Sequence, residues 1–128
     1  MKFNLFLIYT VLSISSPAFS LLEESEAPAA IVYKILTETE FNVFLESKVF
    51  EGSEHDRRDG FIHLVEHCQI DRVVATYFKD QLVFILGFRS EVLGDSLVWE
   101  GGYPHLYGKY LKVSDVIRFK LKNPEKRN

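Results

Sequence analysis

The sequence contains little that would cross-link the chain or bind a nucleic acid. Its 128 residues include one cysteine, Cys68, which excludes an internal disulfide framework. Basic residues are outnumbered, with 15 Lys and Arg against 18 Asp and Glu, and they cluster only at Arg57–Arg58 and between Lys120 and Arg127. Without a basic stripe, the composition predicts no nucleic-acid partner.

The motifs of the commonest enzyme classes are also missing. The sequence has no glycine-rich phosphate loop, no Gly-x-Ser-x-Gly motif and no cysteine–histidine nucleophile pair. Four residues of metal-ligating types lie near one another in the chain: His55, Asp56, His63 and His67. Their spacing matches no recognised ligand pattern, because His63 falls on an expected strand and His67 lies past its end. The sequence therefore predicts no metal.

The first twenty residues have the pattern of a secretory signal peptide. Lys2 precedes the mostly apolar run Phe3–Leu12, and the small-residue segment Ser13–Ser20 follows, with cleavage expected after Ser20. About ten apolar residues are too few to span a bilayer. We therefore expect a secreted protein whose mature chain has no membrane span. Burial on a helix is favoured for Cys68, the alternative being a free thiol that pairs with another chain.

The rest of the chain alternates between strand and helix patterns. We expect a flexible lead-in over residues 21–30, a single α+β domain over 31–121 and a tail over 122–128. The expected helices are one that opens with a Thr37–Glu40 capping box and ends near Ser47, and one over Glu66–Lys79. The expected strands are Ile31–Leu36, Phe61–Val65, Leu82–Phe88, Leu97–Glu100 and Val113–Leu121. Glu51–Gly60 and Tyr103–Gly108 are expected to be loops. Two helices against about five short strands indicate a small α+β fold with a mixed or antiparallel sheet.

Two residues on strands are the first candidates for chemistry. His63 alternates with Ile62 and Leu64, so it points with Phe61 into an apolar layer or a pocket, where one tautomer can offer a directed hydrogen bond. The alternative is a core histidine whose hydrogen bonds are made within the protein. Glu100 follows Trp99 at a strand end and suits a general base or a hydroxyl acceptor. The alternative is an ordinary edge-strand glutamate.

Aromatic and polar residues elsewhere extend this candidate site. His105 and Tyr107 lie on a segment bounded by Pro104 and Gly108, which suits a binding loop or a simple lid. Tyr77 lies on the apolar stripe of the second helix, a position more typical of core than of ligand contact. Asp56 and Asp59 have the positions of turn caps. We expect His63, Glu100, His105 and Tyr107 to converge on one cleft.

These residues also carry a family resemblance, which covers about Ile31 to Leu121. The segments Val-Tyr-Lys-Ile (32–35), Asp-x-x-Asp-Gly-Phe-Ile-His-Leu (56–64), Leu-x-Trp-Glu (97–100) and Pro-His-Leu-Tyr-Gly (104–108), with Gln69 and Tyr77-Phe78, resemble domain-of-unknown-function family 952. That family is similar in fold to the ADP-ribosyltransferase superfamily, whose members bind NAD in a cleft of a split, mixed sheet.

The resemblance implies roles for particular residues. It makes NAD a possible cofactor, places His63 at a ribose- or nicotinamide-contacting position and Glu100 at the catalytic acidic position. We expect Glu100 and His63 to be the catalytic residues if the protein is an enzyme. The residues that we expect to bind the ligand are His105, Tyr107, Tyr77, Asp59 and Lys34.

Two departures from the family pattern weaken the expectation of dinucleotide binding. Val65 replaces the usual serine, and only Gly101, Gly102 and Tyr103 stand where the family commonly has a longer loop with a serine and an arginine. An arginine is a good anion clamp. The expected function is therefore a secreted domain that binds a small nucleotide-like ligand. The alternative is an NAD-dependent ADP-ribosyltransferase or NAD glycohydrolase. The sequence does not indicate an oligomeric state.

Overall fold

The computed structural model describes residues 29–124. The expected signal peptide, most of the expected lead-in and the last four residues of the expected tail lie outside the described residues. Within residues 29–124, no helix is both long enough and apolar enough to cross a membrane.

The fold is α+β, and all strand pairs within the described residues are antiparallel. The strands are β1 (Ile31–Thr37), β2 (Val49–Phe50), β3 (Ile62–His63), β4 (Val83–Arg89), β5 (Leu97–Glu100), β6 (Tyr103–Leu106), β7 (Leu111–Lys112) and β8 (Val116–Lys122). The helices are α1 (Glu38–Ser47), α2 (Glu54–Asp59), α3 (Ile70–Tyr77) and α4 (Ser90–Leu93). Short 3₁₀ turns cover His67–Gln69, Gly94–Ser96 and Val113–Asp115.

The first sheet has the order β1-β4-β8, so β4, which covers most of the apolar run Leu82–Phe88, is the central strand. Side chains alternate along β1 and β4 and supply both faces with core residues. One face contributes Val32 and Leu36 to a first core cluster, which also contains Phe44 of α1. The opposite face contributes Tyr33 and Ile35 to a second core cluster with Ile70 and Val74 of α3. Helix α1 begins with the predicted capping box: Glu40 N donates to Thr37 Oγ1, and Thr37 N donates to Glu40 Oε1.

The second sheet has the order β3-β6-β5 and meets the first at one point. Tyr33 and Val65 form an isolated antiparallel bridge, with N···O distances of 2.8 and 2.9 Å between their backbones. Beyond this bridge β1 and β3 are not paired, so a gap opens between the sheets beside Lys34 and Ile35. The first core cluster contains residues from both sheets, because it also includes Ile62, Leu97 and Leu106 of the second sheet.

Two expected loops are regular elements instead. Glu51–Gly60 contains α2, because Ser53 caps the helix and Gly60 ends it with a φ of 87°. Tyr103–Gly108 contains β6, because Gly101 and Gly102 both have positive φ and form the two-residue turn of a β5–β6 hairpin.

The expected burial of Cys68 is also wrong. The free thiol is exposed, because the residue lies on the short 3₁₀ turn before α3 rather than on the buried stripe of a helix.

Candidate functional site

A cavity of about 640 Å³ lies in the gap between the two sheets. Its walls come from β1, the first turn of α1, the start of α2, β3 and the segment after it, α3 with the residue that follows it, and β6. The aromatic and imidazole side chains in its lining are Tyr33, His55, His63, Tyr77, Phe78, Tyr103 and His105. The charged side chains in its lining are Lys34, Glu40, Glu54 and Asp56.

Helix α2 positions the polar wall of this cavity. Ser53 Oγ accepts from Asp56 N at 3.0 Å, while the Asp56 carboxylate accepts from Ser53 N at 2.9 Å, which makes a complete capping box. At the other end, Gly60 adopts the left-handed conformation and its N–H donates to Asp56 O at 2.9 Å. The six-residue helix is therefore capped at both ends, and the chain continues from Gly60 into β3.

Asp56 is the centre of a buried hydrogen-bond network. Its side chain is 2% exposed and accepts four hydrogen bonds. One oxygen, Oδ2, accepts from Lys34 Nζ at 2.8 Å and from Ser53 N. The other, Oδ1, accepts from His63 N at 3.0 Å and contacts His63 Nδ1 at 2.6 Å. A carboxylate with its acceptor sites filled in this way holds its neighbours in fixed positions.

The charges in this network shift two pKa values. Burial alone would raise the pKa of Asp56, but the Lys34 ammonium and the hydrogen bonds from Lys34, Ser53 and His63 outweigh it and lower the pKa to about 2. Burial lowers the pKa of Lys34, and the neighbouring Asp56 carboxylate opposes that effect. Lys34 Nζ also donates to His63 O at 3.0 Å and lies 5.3 Å from the centre of the Phe50 ring. The lysine expected to bind a ligand thus joins β1 to α2 and β3.

His63 lies between two carboxylates. Its Nδ1 contacts Asp56 Oδ1, and its Nε2 lies 3.0 Å from Asp59 Oδ2. The same Asp59 oxygen lies 3.4 Å from His55 Nε2. The imidazole is partly exposed and lines the cavity, while Ile62 and Leu64 on either side of it are buried. The expected alternation along this strand is therefore confirmed.

Glu100, His105 and Tyr107 form a second group on the same face of the β3–β6–β5 sheet. Glu100 Oε1 accepts from Tyr107 OH at 2.6 Å and lies 2.7 Å from His105 Nδ1. The hydrogen bond from Tyr107 lowers the pKa of Glu100 most, and the one from His105 lowers it further. In return, the Glu100 carboxylate raises the pKa of Tyr107. Phe61 connects this group to His63, with its ring centre 4.0 Å from that of His105 and 4.6 Å from that of His63.

The structure thus brings the four residues expected to converge into one continuous cluster, although their positions differ. His63 and His105 line the cavity, whereas Glu100 and Tyr107 are exposed and are not part of its lining. A catalytic role for Glu100 stays a prediction.

Tyr77 and Val65 also border the cavity. Tyr77 lines the rim and is 71% exposed, so the core position that its spacing favours is wrong. Val65 is buried and lines the cavity too.

The central role of Asp56 and the position of His55 are the main features that the sequence reasoning missed. A signal for them was present: Ser53 and Asp56 have capping-box spacing, and Gly60 stands at a typical C-cap position. Those residues mark a short helix, and a helix places His55 and Asp59, four positions apart, on one face.

Comparisons with known proteins agree with this fold. The chain matches the family described as "Protein of unknown function (DUF952)" over residues 35–119. It is similar to protein CC0527 from Caulobacter crescentus, whose crystal structure is 39% identical, with 71% of this chain and 84% of that chain covered and a TM-score of 0.66. The solution NMR structure of CC0527 is 38% identical, with 71% and 83% covered and a TM-score of 0.63. No curated protein shows significant similarity to the chain.

Proposed function

The chain belongs to the DUF952 family, and we propose that it is a small-molecule-binding domain whose cavity takes the base and ribose of a nucleotide-like ligand. The observation that carries this proposal is the cavity in the gap between the two sheets. Its volume of about 640 Å³ lies within the range of small-molecule sites. Tyr33, Tyr77, Phe78 and Tyr103 supply aromatic surface for a planar ring.

The charges around the cavity favour a ligand whose phosphates stay outside it. Among residues 29–124, Lys34 is the only lysine or arginine that lines the cavity, and its ammonium already donates hydrogen bonds to Asp56 and to His63 O. Glu40 and Glu54 add negative charge to the lining. A carboxylate repels phosphate but accepts hydrogen bonds from hydroxyl groups, so ribose suits this lining better than pyrophosphate does.

The test of ligand binding uses Tyr77, because its exposed side chain can be removed at little cost to the fold. Adenosine, ADP-ribose and NAD are titrated by calorimetry against the unchanged protein, Tyr77→Ala and Tyr110→Ala. Tyr110 is the matched control, since it is also exposed at 52% but does not line the cavity.

We expect at least one ligand to bind and Tyr77→Ala to weaken binding by about 3- to 10-fold, the value of one aromatic contact. Tyr110→Ala should leave affinity unchanged. A ligand at 100 times its Kd should also stabilise the fold by about 2.7 kcal/mol, which raises the Tm visibly. If none of the three ligands binds or moves the Tm, the proposal is wrong.

The second candidate function is NAD-dependent ADP-ribosyl transfer or NAD glycohydrolysis. The contact of Glu100 with His105 and Tyr107, next to His63, favours it, because a carboxylate held at the reacting ribose stabilises the cation that forms as nicotinamide leaves. Two observations favour the binding domain instead: Glu100 is exposed, and the described residues that line the cavity include no lysine or arginine besides the hydrogen-bonded Lys34.

Nicotinamide release from NAD separates the two candidates. The enzyme hypothesis expects Glu100→Gln to lower the rate by about 10²- to 10³-fold without abolishing the NAD-dependent Tm shift. Glu91→Gln, which removes another exposed carboxylate, is the control. Absence of release from the unchanged protein eliminates the enzyme hypothesis and leaves the binding domain.

We also propose that the protein is secreted after cleavage following Ser20. Lys2, the apolar run Phe3–Leu12 and the small residues up to Ser20 support this. N-terminal sequencing of protein from the medium should begin at Leu21. An intact Met1 would contradict secretion by this route.

A further inference from the structure

Three metal-ligating side chains come together where α2 turns into β3. His55 and Asp59 are four residues apart on α2 and share a helix face. The left-handed turn at Gly60 brings His63 back against that face. The nearest ligating atoms of His55, Asp59 and His63 all lie within 4.8 Å of one another.

We propose that His55, Asp59 and His63 form a binding site for a divalent transition-metal ion of the zinc class. Two imidazole nitrogens and one carboxylate oxygen are a ligand set that such ions accept in proteins. This inference does not depend on the nucleotide-like ligand proposed above.

The distances between the ligating atoms fit a tetrahedral ion. Ligands about 2.0–2.2 Å from zinc in tetrahedral geometry are about 3.3–3.5 Å from one another. Asp59 Oδ2 lies 3.4 Å from His55 Nε2 and 3.0 Å from His63 Nε2. The ligating atoms of His55 and His63 lie within 4.8 Å of each other, so these two side chains move closer together to hold the ion. All three side chains are partly or largely exposed, which leaves room for this movement.

Asp56 orients His63 for this role. The contact of 2.6 Å between Asp56 Oδ1 and His63 Nδ1 places the imidazole proton on Nδ1, where the carboxylate accepts it. The lone pair of a neutral His63 is then on Nε2, the nitrogen that faces Asp59. A carboxylate that holds the far nitrogen of a ligating histidine is a recurrent feature of zinc sites, and here it is rigid because Lys34 and Ser53 hold Asp56.

His55 requires one local rearrangement. Arg58 Nη2 contacts His55 Nδ1, and an arginine only donates, so this contact keeps the imidazole proton on Nε2. The ion takes its place on Nε2 when Arg58 moves away and the proton moves to Nδ1. The side chains of His55 and Arg58 are 58% and 66% exposed, so the movement breaks a contact that water replaces.

The position of the site gives the ion access to the cavity. His55 and His63 both line the cavity, whereas Asp59 is not part of its lining. Three protein ligands leave a tetrahedral ion one open position for water or for an oxygen of a ligand, as in catalytic rather than structural zinc sites.

The test is metal binding by the untagged protein in a Cys68→Ser background, since the exposed thiol of Cys68 would itself bind metals. Zn²⁺ is titrated by calorimetry, and Co²⁺ serves as a spectroscopic probe through its visible d–d absorption. The variants are His55→Gln and Asp59→Asn. Their controls are His67→Gln, an exposed histidine outside the cluster, and Glu91→Gln, an exposed carboxylate of α4 outside both the cluster and the cavity lining.

We expect one Zn²⁺ per chain and intense Co²⁺ bands typical of a four-coordinate ion. His55→Gln and Asp59→Asn should each weaken Zn²⁺ binding by at least about 10-fold, while both controls keep the affinity of the parent. Circular dichroism establishes that each variant is folded, and His63 itself is left unchanged because it belongs to the buried network.

Three results would each overturn the proposal: no binding of Zn²⁺ to the folded parent, binding that survives both ligand substitutions, or an equal loss in His67→Gln. The readout is binding of the metal alone, so a negative result would not contradict the proposed nucleotide-like ligand. In the same way, failure of adenosine, ADP-ribose and NAD to bind would not contradict the metal site.

Discussion

At the scale of single residues, Asp56 connects the stability of the fold to the geometry of the site. Its carboxylate caps α2, holds the Lys34 ammonium and orients the His63 imidazole. A buried charge is tolerated when it is paired and its hydrogen bonds are complete. Among residues 29–124, no fully buried side-chain nitrogen or oxygen lacks a hydrogen-bond partner, which fits that rule.

The lowered pKa of Asp56 predicts acid sensitivity. The pKa falls from 3.8 to about 2 on folding, so the unfolded chain binds the proton more tightly. The contribution of Asp56 to stability is therefore fully present above pH 3.8 and is lost as the pH falls toward 2. A difference of nearly two pKa units corresponds to about 2 kcal/mol.

Urea unfolding at several pH values between 5 and 2 measures this dependence. In Asp56→Asn, the free energy of unfolding should depend less on pH, because the contribution of Asp56 is gone. Glu91→Gln, which removes an exposed carboxylate of α4, should leave the pH dependence unchanged. If folded Asp56→Asn showed the same pH dependence of the free energy of unfolding as the unchanged protein, the prediction would be wrong.

At the scale of elements, α2 shows how a short helix becomes stable enough to carry a site. Six residues are too few for an isolated helix in water. The Ser53–Asp56 capping box, the left-handed Gly60 and the anchoring of Asp56 by Lys34 supply the missing stabilisation. The caps at both ends of α2 also fix the distances between His55, Asp59 and His63.

Removing the N-cap of α2 should therefore weaken both the fold and the site. Ser53→Ala is expected to lower the free energy of unfolding by about 1 kcal/mol, the usual cost of a lost cap. Thr37→Ala is the matched control, because it removes the capping box of α1, which lies outside the cluster.

Both substitutions should lower the free energy of unfolding, measured with urea, by a similar amount. In NMR spectra, Ser53→Ala should in addition shift the imidazole resonances of His63, because Asp56 N loses its acceptor Ser53 Oγ and the Asp56 carboxylate moves with the start of the helix. Equal His63 spectra in the two variants would show that the capping box does not position the site.

At the scale of the whole molecule, the β1-β4-β8 and β3-β6-β5 sheets meet at one backbone bridge and share the first core cluster. The Tyr33–Val65 bridge is a single residue pair, but the first core cluster contains Val32 and Leu36 from one sheet and Leu97 and Leu106 from the other. Burial of apolar side chains contributes more to stability than two backbone hydrogen bonds do.

The shared core predicts a single cooperative unfolding transition. Trp99 is the only tryptophan of the chain and lies on β5 of the second sheet, with Nε1 2.6 Å from Glu66 Oε2, so its fluorescence reports on that sheet. Far-ultraviolet circular dichroism reports on all elements. The two urea transitions should coincide within error. A Trp99 transition at lower urea than the circular dichroism transition would mean that the sheets unfold separately.

The sequence by itself determined the elements whose patterns are local. The capping box at Thr37 and Glu40 started α1, the uninterrupted apolar run produced the central strand β4, and alternation placed Ile62 and Leu64 in the core with His63 pointing the other way. The family motifs were sufficient to identify DUF952. These signals depend on residues within a few positions of one another, so they are readable without knowledge of the fold.

Only the tertiary structure decided which distant residues meet. The pairing of Lys34 with Asp56 joins residues 22 positions apart, and no local pattern records it. The cavity exists because β1 and β3 separate beyond the Tyr33–Val65 bridge, and the β5–β6 hairpin determines that His105 faces it while Glu100 and Tyr107 stay outside. Strand register and the angle between sheets result from packing of the whole core, which is a property of the assembled chain rather than of any segment.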